Sequence, residues 1–437
     1  MGPLVYDITR LVLRVFNRTP NGIDRVDFAL ANHFIDPARS DRLGALLTPF
    51  GPRVLDAAAA REAIDNIRRH WGEDEDPDSD AHLREVAVAI DAAPTAARRV
   101  AKARTGQYAQ ALAWLKRRGF SLGASPRARL GVGGTYLNVS QFPLQFDVCF
   151  RWQARLGVDP VFFIHDLLPL ETPEYFRPAE RPRHQSRLVT LARRGRAAIV
   201  STHVVREALR RRLADLGRPD MPMLVAPLPA DPIFSQKPAL EAAVGRRPYF
   251  LICGTIEPRK NHLLLLQVWR DIVARLGEAA PILVVVGVRG WENEHVIDLL
   301  ERCPSLREHV IEASGLPTPS VRRLLSGARA LLMPSFAEGY GLPVVEALAA
   351  GTPVIASDIA TFREIGGGRL LAIDPTDGPK WREAICAFAA DGSPERRELL
   401  ARSAGYAAPA WSSFFAAVED FIGGLKPAEP GAPYPAA

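Results

Sequence analysis

Cysteine is scarce in this chain. Four occur in 437 residues (Cys149, Cys253, Cys303 and Cys386), far apart, with no CxxC pair and no Cys/His spacing suited to a metal. A disulfide framework and a zinc module are both excluded, and each thiol is expected to pack as a small apolar residue in a reducing cytoplasm. No apolar run approaches the roughly 20 residues that a bilayer span requires. The first residues, MGPLVYDITR, lack the basic-then-apolar order of an export signal. One sign of charge is also missing over a long stretch. Residues 92–146 contain no carboxylate, while Arg98, Arg99, Lys102, Lys116, Arg117 and Arg118 accumulate there. A second basic block runs over 177–218, so the net charge of +6 is concentrated in the first half. That half is suited to an anionic surface or ligand.

What is present is the composition of a globular protein, 47% apolar and 24% charged, in a chain too long for one ordinary core. The second half alternates strand-like apolar runs, YFLIC (249–253), ILVVVG (282–287), HVIEAS (309–314), ALLMPS (330–335) and PVIAS (353–357), with amphipathic helical segments. Apolar strands joined by helices predict a parallel sheet covered on both faces. The first half repeats the rhythm less cleanly, with runs at 4–8, 45–50, 135–139, 161–166, 197–202 and 223–228. The expected architecture is α/β, two Rossmann-like doubly wound domains facing a cleft. The first spans 1–230, with an insertion at 55–130, and a Pro-rich linker at 231–247 leads to the second at 248–410. Ligands of such sheets bind at the carboxyl ends of the strands.

Two segments carry chemistry. In CGTIEPRKNH (253–262) the chain leaves a strand, turns at Gly254, and presents Arg259 and Lys260 before a helix that Asn261 could cap. Two cations at a helix start suit a diphosphate, although two solvated cations in a loop are an equal reading of this segment alone. In FAEGYGLPVVEALAAGTPVIAS (336–357), Glu338 precedes Gly339 and Gly341, which allow close backbone approach. Pro343 then opens a helix whose first turn ends at Glu346. Glu346 there is favoured by the helix dipole, but near a cleft it could accept hydrogen bonds from a ribose diol. Glu338 could hold sugar hydroxyls or the positive charge developing at a sugar carbon.

The two segments together, Gly-x-x-Glu-Pro-Arg-Lys-Asn and Glu-Gly-x-Gly-x-Pro-x-x-Glu, resemble the retaining GT-B glycosyltransferases of the GT4 family, of the polysaccharide-biosynthesis type. The resemblance extends less sharply from Tyr249 to Ala410. It implies Arg259 and Lys260 on the donor diphosphate, Glu338 by the transferred sugar and Glu346 on the ribose. Many members carry an arginine where this chain has Thr255. His165 and Asp166, in VFFIHD, are similar to a His-Asp segment in which the histidine faces the donor sugar; a structural hydrogen bond is the alternative. Gly22 and Arg25 stand where the family has its glycine-rich first loop and following helix. The segment WSSFFAAVEDFI is amphipathic, and the resemblance implies that this helix, 411–425, crosses back to the first domain.

The acidic run 72–80 has no strand before it and is expected to be a solvated loop, not a metal site. No metal and no cofactor are expected. The expected partners are a nucleotide sugar as donor and a saccharide or lipid-linked saccharide as acceptor, with GDP-mannose or a related hexose donor indicated by the His-Asp segment. Nucleic acid is not expected, since the basic blocks lack aromatic interleaving. The expected location is cytoplasmic, with peripheral membrane association through basic helices that include Trp114 and Phe120 as one reading and an ordinary solvated face as the other. Two alternatives use the same residues: a GT-B sugar synthase or phosphorylase, and a non-catalytic polyanion or lipid-surface binder on this scaffold.

Overall fold

The computed structural model describes residues 2–14, 20–48, 50–71, 80–92, 98–101, 123–236 and 244–425. Most of the acidic run, and Trp114, Phe120 and their basic neighbours, lie outside the described residues.

The first half forms β1 (Leu4–Asp7), β2 (Arg42–Thr48), β3 (Gly51–Asp56), β4 (Arg98–Ala101), β5 (Thr135–Asn138), β6 (Asp159–Ile164), β7 (Ala197–Val200) and β8 (Met223–Val225). The second forms β9 (Tyr249–Cys253), β10 (Ile282–Val286), β11 (Val310–Ser314), β12 (Leu331–Met333), β13 (Val354–Ser357) and β14 (Leu371–Ile373). One sheet has the order β3-β2-β1-β5-β6-β7-β8, parallel except for the β2–β3 hairpin. The other, β14-β13-β12-β9-β10-β11-β4, is parallel throughout. The strand apolar runs are buried on both faces, as helix-covered parallel sheets require.

The 55–130 insertion, expected within the first domain, divides between the two. The helix Ala57–Trp71 packs on the first sheet through Ala60, Ile64 and Ile67. The helix Ala81–Asp91 and strand β4 go to the second sheet. The cause is apolar burial and edge coverage. Leu83, Val86 and Ile90 join a cluster with Phe234, Ile311 and Leu324, and β4 pairs with β11, whose edge would otherwise be open. Asp80 caps that helix and accepts from Ser320 Oγ at 2.6 Å, anchoring the segment to the second domain.

The helix Trp411–Gly424 lies on the first domain. Phe414, Val418 and Ile422 enter the same core as Leu30 and Phe34. Phe415 stacks on His33 with ring centroids 3.9 Å apart, and Arg42 donates to Glu419 at 3.3 Å.

Candidate functional site

The carboxyl ends of the strands from both sheets face one another, and the loop 336–341 is wedged between them. It follows β12 and ends in the helix Leu342–Ala349. Its contacts run in both directions. Phe336 stacks on Tyr175 of the first domain at 5.0 Å, and the Tyr340 hydroxyl donates to the Leu228 carbonyl at 2.7 Å. Thr361 Oγ1 donates to the Glu338 carbonyl at 2.7 Å. A side chain on Gly339 would place its Cβ 2.7 Å from both Asp166 Cβ and the His165 carbonyl oxygen. Its absence is therefore what lets the two domains meet here. Gly341 has a φ of +103° and no room for a Cβ beside Phe362, so glycine is required at the helix start.

Glu338 is buried at the centre of a cationic clasp. Arg259 Nη1 donates to Oε2 at 2.5 Å, Lys260 Nζ to Oε1 at 2.5 Å, and Ser335 Oγ to Oε1 at 2.7 Å. Burial alone would raise the carboxyl pKa, but the Arg259 and Lys260 charges outweigh it and hold Glu338 at about 2. Arg259 is fixed further by Glu257 Oε1 at 2.6 Å and the Ala337 carbonyl at 2.8 Å. Burial opposes its charge, and Glu338 and Glu257 more than restore it. Gly254, with φ of +143°, lies against the Lys260 stem; a Cβ there would sit 3.2 Å from Lys260 Cε. Asn261 occupies the cap position of the helix His262–Leu276, but its amide does not cap it. In the left-handed conformation it donates instead to the carbonyls of Pro334 (3.1 Å) and Pro375 (2.8 Å), tying the two site loops together.

Glu346 is also buried, and accepts a hydrogen bond from Arg25 Nη2 of the first domain. Burial pushes its carboxyl pKa upward, and the Arg25 charge opposes that push. Gly22 is the first residue of the helix Gly22–Phe34, capped by Asn21, and lies across the interface from Leu342. His165 follows β6 in a buried position. Its Nε2–H donates to the Val139 carbonyl at 2.8 Å, which fixes the tautomer and leaves Nδ1 as acceptor. Burial lowers its pKa to about 4.

The clasp residues Arg259, Lys260 and Glu338 thus converge, while Glu346 pairs with the opposite domain. Sequence reading missed Glu257 and Ser335, although both lie in or beside the quoted segments. It also missed Glu364, which accepts from the backbone N–H groups of His203 (2.7 Å) and Val204 (3.1 Å) at the start of the helix His203–Asp215. Among the described residues, no group of three or more His, Cys, Asp or Glu is placed to hold a metal ion, and no helix is long and apolar enough to cross a membrane.

Residues 236–403 match the family "Glycosyl transferases group 1". The two-sheet architecture is GT-B: Anabaena HepE, solved with UDP and glucose, superposes with a TM-score of 0.60 over 97% of this chain and 100% of its own, at 15% identity. Residues 236–403 thus carry a group 1 glycosyltransferase domain, and the chain has a GT-B fold. Among curated relatives, O-antigen chain mannosyltransferase B of Escherichia coli is 38% identical over 130 residues, 30% of this chain. The serotype-specific mannosyltransferase WbdA of the same species is 29% identical over 222 residues, 48% of this chain. The matched stretches span 33% and 27% of those relatives' lengths.

Proposed function

We propose that this protein transfers a hexose from a nucleotide diphosphate sugar to a polysaccharide or lipid-linked oligosaccharide intermediate, with retention of anomeric configuration, as a GT4 enzyme. The observation that carries the reading is the clasp of Arg259, Lys260 and Glu338 on the cleft face of the group 1 domain. Arg259 and Lys260, paired in the ligand-free protein with Glu338 and Glu257, place two positive charges where a leaving diphosphate would gather its negative charge. The clasp supplies that charge without a divalent metal, and we infer that transfer is metal-independent and needs no cofactor. Glu346 takes the ribose diol in exchange for Arg25. Glu338 stands beside the transferred sugar, ionised and unable to act as a proton donor near neutral pH. His165, neutral under the same conditions, keeps Nδ1 as an acceptor. Closure of the two domains around loop 336–341 excludes water and limits hydrolysis.

The mannosyltransferase names of the relatives support a mannose or related hexose donor. We place the protein on the cytoplasmic side of the membrane, where the basic first half would meet anionic lipid as a peripheral contact. Thermal melting with GDP and UDP, followed by NMR of products from a panel of nucleotide sugars, tests the reading. A nucleotide-induced rise in melting temperature that Lys260→Ala abolishes, and a product with the donor's anomeric configuration, are expected. Equal stabilisation of wild type and Lys260→Ala would remove the clasp from donor binding.

A further inference from the structure

A second cationic device stands on the first domain, at the carboxyl end of β1. The helix Thr9–Arg14 carries Arg10 and Arg14 four residues apart, so their guanidinium groups share one face. Both use the same anchor: Arg10 Nε and Arg14 Nε each donate to Asp24 Oδ1 at 3.0 Å. Asp24 is almost fully buried, and its Oδ2 accepts from the Asn21 backbone at 3.1 Å, so the carboxylate is pinned by the helix start it helps to cap. The two arginine side chains are only 20% and 25% exposed. Their Nη1 and Nη2 groups have no protein partner among the described residues.

One carboxylate cannot neutralise two guanidinium groups. Like charges held side by side are unfavourable unless an anion answers them, and guanidinium forks are the geometry that grips phosphate oxygens. The position is equally specific. Burial chiefly lowers the proton affinity of His165, and Arg10 lowers it further, so Arg10 lies within electrostatic reach of the histidine at the cleft. Burial also leads the depression of Arg187, with Arg10 again contributing. Arg187 Nη1 lies 3.1 Å from His184 Nε2 on the neighbouring helix Glu180–Arg194. Arg10 therefore lies within electrostatic reach of both His165 and Arg187, in a patch that Asp166 and Glu180 also border.

We propose that Arg10 and Arg14, held by Asp24, form an anion subsite for a phosphate group carried by the acceptor saccharide. The subsite itself stands independently of the donor reading; its assignment to the acceptor rests on that reading. The acceptor would be presented phosphate-first to the first domain, with its nucleophilic hydroxyl directed across the cleft.

The test is calorimetric titration of the full chain with inorganic pyrophosphate. Wild type is expected to bind at two sites. Arg10→Gln/Arg14→Gln removes one, with affinity there falling roughly tenfold or more per guanidinium lost, and Lys260→Ala removes the other. Far-UV circular dichroism checks that the variants fold; should the double variant not fold, Arg14→Gln alone reads the same loss. Binding untouched by the arginine substitutions but lost in Lys260→Ala overturns this inference and leaves the donor reading standing. Binding lost in the arginine variants but unaffected by Lys260→Ala keeps the subsite and sinks the donor reading. No binding in wild type overturns both. Competition by farnesyl diphosphate assigns the phosphate to a lipid-linked acceptor, and competition by a hexose 6-phosphate assigns it to a phosphorylated sugar. Displacement by neither overturns the acceptor role.

Discussion

Arg25, on the helix Gly22–Phe34 of one domain, donates to Glu346, on the helix that follows the glycine loop of the other. The carboxylate assigned to the ribose is thus occupied across the interface in the ligand-free protein. A nucleotide that takes the Oε1 atom of Glu346 displaces Arg25, so donor binding and the fit between the domains are linked through this one exchange.

That exchange predicts opposite behaviour for its two partners. Arg25→Ala leaves a buried carboxylate without its cation, and the ligand-free protein should lose roughly 1–3 kcal/mol, less than a fully buried pair because Arg25 is partly exposed. Nucleotide affinity should be preserved or improved, since the competitor is gone. Glu346→Ala should weaken GDP or UDP binding at least ~10-fold. Thermal melts and calorimetry of both variants check the pair. A collapse of nucleotide affinity in Arg25→Ala would mean that the arginine itself touches the ligand.

Glu338 has a structural cost attached to its removal. Its carboxyl pKa of about 2 lies below the ordinary 4.5, so the folded state is stabilised above pH ~4.5 and loses that contribution as pH falls toward about 2. Glu338→Ala should therefore destabilise the second domain by about 3–5 kcal/mol, leaving Arg259 and Lys260 adjacent without their shared anion. A nucleoside diphosphate replaces that anion, and its stabilising effect should be larger in the variant than in wild type. Transfer should fall by at least ~100-fold. Equal ligand-induced shifts in melting temperature for the two proteins would separate Glu338 from the diphosphate site.

Gly339 tests the meeting of the domains directly. A methyl group there would press on the backbone of His165 and on Asp166 at 2.7 Å. Neither neighbour is the free end of a flexible side chain, so the domains must part. Gly339→Ala should enlarge the radius of gyration in solution scattering and depress transfer. Nucleotide binding to the second domain should persist. An unchanged scattering curve with full activity would show that the contact is dispensable.

The clasp was legible in the sequence because its parts are local. Gly254, Arg259 and Lys260 sit within the strand-to-helix turn after β9, and Glu338, Gly341 and Glu346 within the connection after β12 and the helix it opens. Strand β9 coincides with the run YFLIC, since an apolar stretch bounded by turn residues announces a buried parallel strand. What was hidden depends on distance along the chain. Nothing around residue 98 signals pairing with β11, because a short basic strand has no apolar periodicity to read. The partnership of Arg25 with Glu346 spans 321 positions. The Asp24 anchor was hidden for a different reason: a first-turn aspartate looks like an ordinary helix cap until its second oxygen is seen to gather two arginines.

Asp27, one turn beyond Asp24 on the same helix, gives a pH signature of the first domain. It is fully buried. Tyr6 donates its hydroxyl to Oδ1 at 2.7 Å, while Oδ2 has no partner among the described residues. Burial pushes its pKa from 3.8 to about 8, with Asp7 and Asp24 adding to the rise and Tyr6 and Arg10 opposing it. The folded protein therefore holds a proton at neutral pH that the unfolded chain releases above pH ~4. Stability from this group is complete below the unfolded value and declines as pH rises toward about 8. Asp27→Asn mimics the protonated carboxyl. Its melting temperature should match wild type near pH ~4 and exceed it progressively up to pH ~9. Because this helix also carries Asp24 and Arg25, the same alkaline range should loosen the wild-type helix and weaken pyrophosphate binding at Arg10 and Arg14 more than in the variant. A difference in melting temperature that stays constant across the range would show that Asp27 is ionised throughout, with the Arg10 charge outweighing burial.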